Sequence, residues 1–302
     1  MTNDPIVFGL ELLRTLDLDP VYVALASDSI DLRVRTRICV AYWLYYHLGV
    51  ACKISEAPDF WEAVTKALPL APRGTERRHF RGAKAASAVR ELAAWYPSGP
   101  EALIAYLVTD SEAPPCNSKP RVARSARLPG STALSNPADA AWGLRTRNLT
   151  LETVRRRALI LPQFGPWVAF KVADMLERVL KIPVDFRDCK LLEFYDEPEA
   201  GAILAAKHWK LATPEAALDK ILAALRDSWA PPFHNRYVNV QEVETVLCKW
   251  KAHCNGYYEI GKDTSEVVHG LQNYSSKTGD LLLRTLEAQS PILKKKKARA
   301  LV

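Results

Sequence analysis

Cysteine is scarce in this chain, at six of 302 residues, and no two stand as C-x-x-C. Cys39, Cys52, Cys116, Cys189, Cys248 and Cys254 are too sparse for a disulfide scaffold or a structural zinc site, so a reducing compartment is expected. Glycine is low at 13, without a G-x-y period, which excludes a collagen-like rod. No uninterrupted apolar run is long enough to span a bilayer, so no membrane partner is expected. The opening residues MTNDPIVFGLELL lack a basic segment, so no signal peptide is expected. Strand-like alternation is rare, and there is no internal repeat. Acidic residues are in deficit, 34 against 41 lysines and arginines, leaving a net charge of +7. The 48% apolar content is ample for a core and excludes a disordered chain.

The excess charge is clustered. Lys119 to Arg157 holds nine basic residues, Arg124 and Arg127 among them, against Asp139 and Glu152. Arg73 to Glu91 holds six against two acids, and Ala288 to Val302 holds five against none. Arginine interleaved with serine, proline and glycine is the footprint of a polyanion, and the 119–157 block reads as nucleic-acid contact. The lysine tail reads as a flexible tether or as a merely solvated end.

Most of the chain carries helical periodicity. Helices are expected over 32–48, 60–68, 80–95, 100–108, 138–144, 151–159, 168–180, 198–208, 214–225, 240–254 and 264–286. Residues 111–137, with Pro114, Pro115, Pro120, Pro129, Gly130 and Pro137, read as a long loop, either a lid or a DNA-contacting arm. The fold class is therefore all-α and two-lobed. The expected division is an N-terminal lobe over 1–110, the loop, a C-terminal lobe over 138–290, and a basic tail over 291–302.

The most informative stretch is RALILPQFGPWVAFKVADMLERVLKIPVDFRD, Arg157 to Asp188. Leu161-Pro162-x-x-Gly165 ends one helix and Pro166 opens the next. The amides of Gly165, Trp167 and Val168 face the start of that helix, and Lys171 follows one turn on. This arrangement suits a DNA phosphate and reads as a helix-hairpin-helix. Here the chain resembles the helix-hairpin-helix DNA glycosylase superfamily. That family places a catalytic aspartate about twenty residues beyond the hairpin glycine, and Val184-Asp185 matches it. Gln163 stands where the family has its first glycine. Trp167 stands where bifunctional members carry a lysine nucleophile, so Schiff-base lyase chemistry is not expected. The family's iron–sulfur cysteine pattern is absent. The bland reading of Asp185 is a helix cap. Asp188 is a second candidate carboxylate, and Cys189 a nearby thiol more readily read as inert. A base flipped from the stack needs an aromatic pocket, for which Trp43 and Tyr46 are candidates, against the ordinary reading of core aromatics.

Two further segments exceed a glycosylase's needs. Arg73, Arg77, Arg78, His79 and Arg81 gather at a helix start, where arginine forks suit either a multiply charged phosphate or the DNA backbone. Asn239 to His253 opens with a capping box and sets Glu242, Thr245, Lys249, Lys251 and His253 on its polar side. Lys262 and Asp263 follow in Gly-Lys-Asp. That polar side reads as a solvated face or as a site.

With the hairpin, these segments resemble the alpha-glutamyl/putrescinyl thymine pyrophosphorylases of bacteriophages, a derived branch of the glycosylase superfamily. RRHFRG, LPxFGPWxAxKxADxL, NVQEVETVLCKWKxHxxGxY and GKD carry the likeness. The resemblance implies an amino acid or amine:DNA transferase working in the host cytoplasm. Its substrates would be double-stranded phage DNA bearing a pyrophosphorylated 5-hydroxymethyluracil and an amino acid or polyamine. Pyrophosphate would be met by Arg73, Arg77, Arg78, His79, Arg81, Lys249, Lys251 and Lys262, with Glu242, His253 and Asp263 nearby. Neither a metal nor a cofactor is expected. The rival readings are a monofunctional DNA glycosylase, in which Asp185 stabilises the sugar cation, and a non-catalytic DNA-binding module.

Overall fold

The computed structural model describes residues 4–70, 80–109 and 149–300. Arg73, Arg77, Arg78, His79, Arg124 and Arg127, the expected helix 138–144 and the 111–137 loop lie outside the described residues. The fold is all-α. Among the described residues there is no strand, and the β-type pairings are two isolated bridges, Thr150–Asp185 and Trp229–Tyr237. No described helix is long and apolar enough to cross a membrane.

The chain forms two compact units. One comprises residues 31–185, the other residues 1–30 together with 186–302.

In the 31–185 unit the first helix, third in chain order, is α3 (Leu32–Tyr45). Asp31 caps it, accepting from Arg33 N at 2.7 Å and Val34 N at 3.1 Å. The helix expected over 32–48 ends at Tyr45, and a second, unexpected helix follows it. Tyr46 turns left-handed at φ 53°, and His47 then caps α4 (Leu48–Ser55), its Nδ1 accepting from Val50 N at 3.2 Å. The apolar pattern runs on through the break, so hydrophobicity hides it, and the side-chain cap makes it. Next come α5 (Phe60–Ala67), α6 (Gly82–Trp95) and α7 (Pro100–Val108). The paired helices α8 (Leu151–Ile160) and α9 (Pro166–Arg178) complete the unit. Helix α9 is deeply buried, its Phe170, Val172, Met175 and Leu176 all shut from solvent. Each such side chain contributes about 1.5–3 kcal/mol by leaving water.

The other unit begins with α1 (Pro5–Thr15) and α2 (Pro20–Leu25). It continues with α10 (Asp196–Trp209), α11 (Pro214–Leu225), α12 (Val240–Cys254), α13 (Lys262–Asn273), α14 (Lys277–Gln289) and α15 (Pro291–Ala300). Helices α10 and α12 meet backbone to backbone at Gly201. A Cβ there would lie 2.3 Å from the Leu247 carbonyl oxygen, so only glycine permits the approach. The expected helix 264–286 is also divided, because Ser276 caps α14 by accepting from Gly279 N at 3.0 Å. The lysine-rich end, expected as a flexible tether or a solvated end, is helical, with Lys294, Lys295 and Lys296 exposed. Leu293 buries against the unit, and Lys296 Nζ reaches Ser265 Oγ at 3.0 Å.

Candidate functional site

The hairpin in the 31–185 unit carries the first group of residues. Thr150 caps α8, accepting from Thr153 N at 3.2 Å. After Ile160 the chain closes a short turn, with Leu161 N on Ala158 O at 3.0 Å and Phe164 N on Leu161 O at 3.1 Å. Gln163 sits at φ 67°, the left-handed region where glycine is at home. The turn therefore keeps the shape that the motif's glycine would give. Gly165 precedes α9 without a side-chain cap, and a Cβ on it would meet nothing within 4 Å. Among the described residues, then, nothing crowds the Gly165 position at the start of α9.

Asp185 is tied to the entry of this hairpin. Its N–H donates to Leu149 O at 2.8 Å and its carbonyl accepts from Leu151 N at 2.9 Å. Its flanks, Val184 and Phe186, are buried, while Asp185 itself is half-buried. Two backbone hydrogen bonds and two buried neighbours hold the backbone of Asp185 in a set position. Asp188 is exposed. Burial, with the nearby charge of Glu244, pushes the Cys189 thiol up to about 12. Both causes favour the neutral thiol over the nucleophilic thiolate.

Trp43 lies in the core at 2% exposure, its indole N–H on the Met175 sulfur at 3.2 Å. Tyr46 is half-buried and meets Trp167 edge to face at 4.7 Å, with Tyr42 at the same distance on its other side. The structure brings Tyr46 and Trp167 together beside the start of α9. Lys171 is buried, 3.9 Å from the fully buried Asp174, which also takes Arg178 at 3.4 Å. Its ammonium is thus engaged within its own helix. Arg157 is likewise buried and donates to Leu107 O at 3.0 Å, at the C-terminus of α7. That arginine braces two helices and is not part of an exposed basic surface. Arg155, Arg156 and Arg81 remain at least partly exposed.

The second group belongs to the other unit and centres on α12. A solvated polar face does not describe it. Gln241, Glu242, Glu244, Thr245 and Lys249 are each at most 5% exposed. Sequence periodicity missed this because charged residues count as outward-facing until their partners are known. Glu242 caps its own helix, accepting from Asn239 N at 2.8 Å, and receives both arms of the Arg236 guanidinium at 3.0 Å. Arg236 also reaches Gln241 Oε1 at 3.0 Å. Glu244 is bound by Tyr195, by Thr245 at 2.9 Å and by the Cys248 thiol at 3.3 Å.

Lys249 stands in a network the sequence did not reveal. Its ammonium contacts Asp263 at 2.6 Å, the Tyr258 hydroxyl at 3.1 Å and the Asp17 carbonyl. Asp17 is wholly buried. Its carboxylate accepts from Gly261 N at 2.6 Å and Thr264 N at 2.9 Å, and from the hydroxyls of Tyr258 and Thr264. It therefore satisfies the open amides at the start of α13, in the Gly-Lys-Asp motif. The signal for Asp17 lies about 245 residues away from its partners, beyond any local pattern. Lys262 is exposed, with Tyr257 O at 2.6 Å and Glu266 at 3.9 Å. Lys251 is half-buried. His253 has its Nδ1 at 3.0 Å from Tyr258 O and stacks on Phe8 at 5.0 Å. Among the described residues, no three histidine, cysteine, aspartate or glutamate side chains group as a metal site.

Comparison with known proteins gives these features a setting. The family model for the amino acid:DNA transferase matches residues 132–257, from before the hairpin to the end of α12. A glycinyltransferase of Pseudomonas phage PaMx11 is 34% identical over 291 residues, covering 86% of this chain and 87% of the relative. A putrescinyltransferase of Delftia phage PhiW-14 is 25% identical over 284 residues, covering 89% of this chain and 78% of the relative. The matched segment holds the LPxxG hairpin, Asp185 and the buried polar helix α12. The chain belongs to the amino acid:DNA transferase family and is a transferase.

Proposed function

We propose that this enzyme replaces pyrophosphate on a 5-hydroxymethyluracil in double-stranded phage DNA with an amino acid or amine. The observation that carries the reading is the pinning of half-buried Asp185 to the hairpin entry by its own backbone. The hairpin holds the DNA backbone, with phosphate drawn to the Gly165, Trp167 and Val168 amides. The modified base leaves the stack. The amine nitrogen attacks the methylene carbon on C5, the carbon–oxygen bond breaks, and pyrophosphate departs with the electron pair. Asp185 takes the proton lost by the attacking nitrogen, or polarises the ring to assist departure. Asp188 is the alternative carboxylate. Arg81 and the arginines of 73–78 offset the charge of the leaving group. Lys249 has its three donors committed within the protein, so its contribution is to hold Asp263 and α13 in place. Glycine is the donor supported by the name of the more similar of the two relatives.

The test is to incubate the enzyme with pyrophosphorylated DNA and mixed amino acids, then weigh the nucleosides by mass spectrometry. A thymidine derivative with the amino acid joined through its nitrogen to the C5 methylene is the expected product. Free modified base would point to a glycosylase, and no product from DNA-binding enzyme would point to a binding module.

A further inference from the structure

Between α11 and α12 the chain makes a tight excursion, Ser228 to Asn239, that ends in two exposed aromatics. Trp229 is 50% exposed and Tyr237 54%, yet their rings stack at 4.6 Å with 24° between planes. Single exposed aromatics are ordinary, but two held face to face in solvent form a ready-made flat surface.

The excursion is braced from both sides. Ala230 N donates to Arg236 O and Val238 N to Ser228 O, both at 2.9 Å, closing the bridge between Trp229 and Tyr237. Arg236 bonds the Tyr237 carbonyl at 2.9 Å while its fork is held by Glu242, itself shut from solvent. The buried carboxylate of α12 therefore anchors the loop that presents the aromatic pair. Order is prepaid, so a partner that stacks there meets little entropic cost. Arg236 is neutralised by Glu242 and Asp227 flanks the loop, so local charge does not select the occupant. The flat aromatic faces and the DNA substrate of the amino acid:DNA transferase family do.

We propose that Trp229 and Tyr237 form a stacking platform for a nucleobase of the DNA substrate that has lost its place in the duplex. This rests on the reading that the enzyme acts on base-modified DNA. A base extends the existing two-ring stack by one member, with no base-edge hydrogen bonding and hence no sequence preference. The occupant is an unpaired base, since a paired base has both faces covered by its neighbours.

The experiment uses the full chain and a duplex carrying 2-aminopurine opposite an abasic site, with a fully paired duplex as control. Wild type is expected to bind the first duplex more tightly and to quench its fluorescence. The Trp229→Ala/Tyr237→Ala variant is expected to lose about 5- to 100-fold in affinity for it and to lose the quenching. The Trp229→Phe/Tyr237→Phe variant keeps both. Should the alanine variant unfold, Trp229→Leu, which keeps apolar bulk without a π face, is expected to show the same loss. Unchanged affinity and quenching in the alanine or leucine variant would overturn the proposal. So would a loss of self-association on sedimentation with DNA binding intact, which would assign the pair to a second copy of the chain. If wild type itself binds neither duplex, the DNA-directed reading fails, and the platform with it.

Discussion

The Lys249 ammonium lies 2.6 Å from an Asp263 carboxylate oxygen and is 3% exposed. With Tyr258 and the Asp17 carbonyl as its other partners, this lysine is a buried strut between α12 and the start of α13. Removing one member of such a pair leaves an uncompensated charge. Lys249→Met is therefore expected to cost about 3 kcal/mol in urea unfolding, somewhat tempered because Asp263 keeps contact with water. Full stability with turnover abolished would instead assign Lys249 to the substrate.

Gln163 occupies a left-handed position in the hairpin turn. Gln163→Val, β-branched and ill-suited to positive φ, is expected to lose about 1–2 kcal/mol and to weaken DNA binding. Gln163→Gly is expected to bind DNA as wild type does, since the turn is then unstrained. Thermal unfolding and DNA titration of the two variants check this.

The thiols make a pH-dependent prediction. Burial raises Cys39, Cys52 and Cys189 above the ordinary thiol range, Cys189 to about 12. In the unfolded chain these thiols ionise near pH 8.5, as thiols in water do. Above that pH the unfolded state holds fewer protons than the folded one, so stability falls as pH rises, with each such thiol contributing about 1.4 kcal/mol per pH unit. Denaturation midpoints at pH 7, 9 and 10 are expected to descend, and Cys39→Ala to descend less steeply. Cys189→Ser is expected to keep its transferase activity.

The class of fold and the hairpin were legible in the sequence because periodicity, Leu161-Pro162, Gly165 and the distance to Asp185 are local signals. Helix breaks at Tyr46 and before α14 were not, because side-chain caps at His47 and Ser276 interrupt an apolar pattern that continues regardless. The polar side of α12 was read as a solvated face or a site, and its Glu242, Thr245 and Lys249 prove to be buried. Burial of a charge depends on partners, and those of Lys249 and Glu242 are Asp17, Asp263 and Arg236. Arg157 falls in the basic 119–157 block and Lys171 among the expected DNA contacts of the hairpin, yet both are buried and bonded inside the 31–185 unit.

The central claim is transfer of an amino acid onto the DNA base with pyrophosphate as leaving group, assisted by Asp185. The most direct measurement follows isotope-labelled glycine into pyrophosphorylated DNA while pyrophosphate release is counted in the same reaction. One label incorporated per pyrophosphate released is expected for wild type, with both lost in Asp185→Asn while DNA affinity is kept. Pyrophosphate released without incorporation, or equal incorporation by the Asp185→Asn variant, would contradict the account.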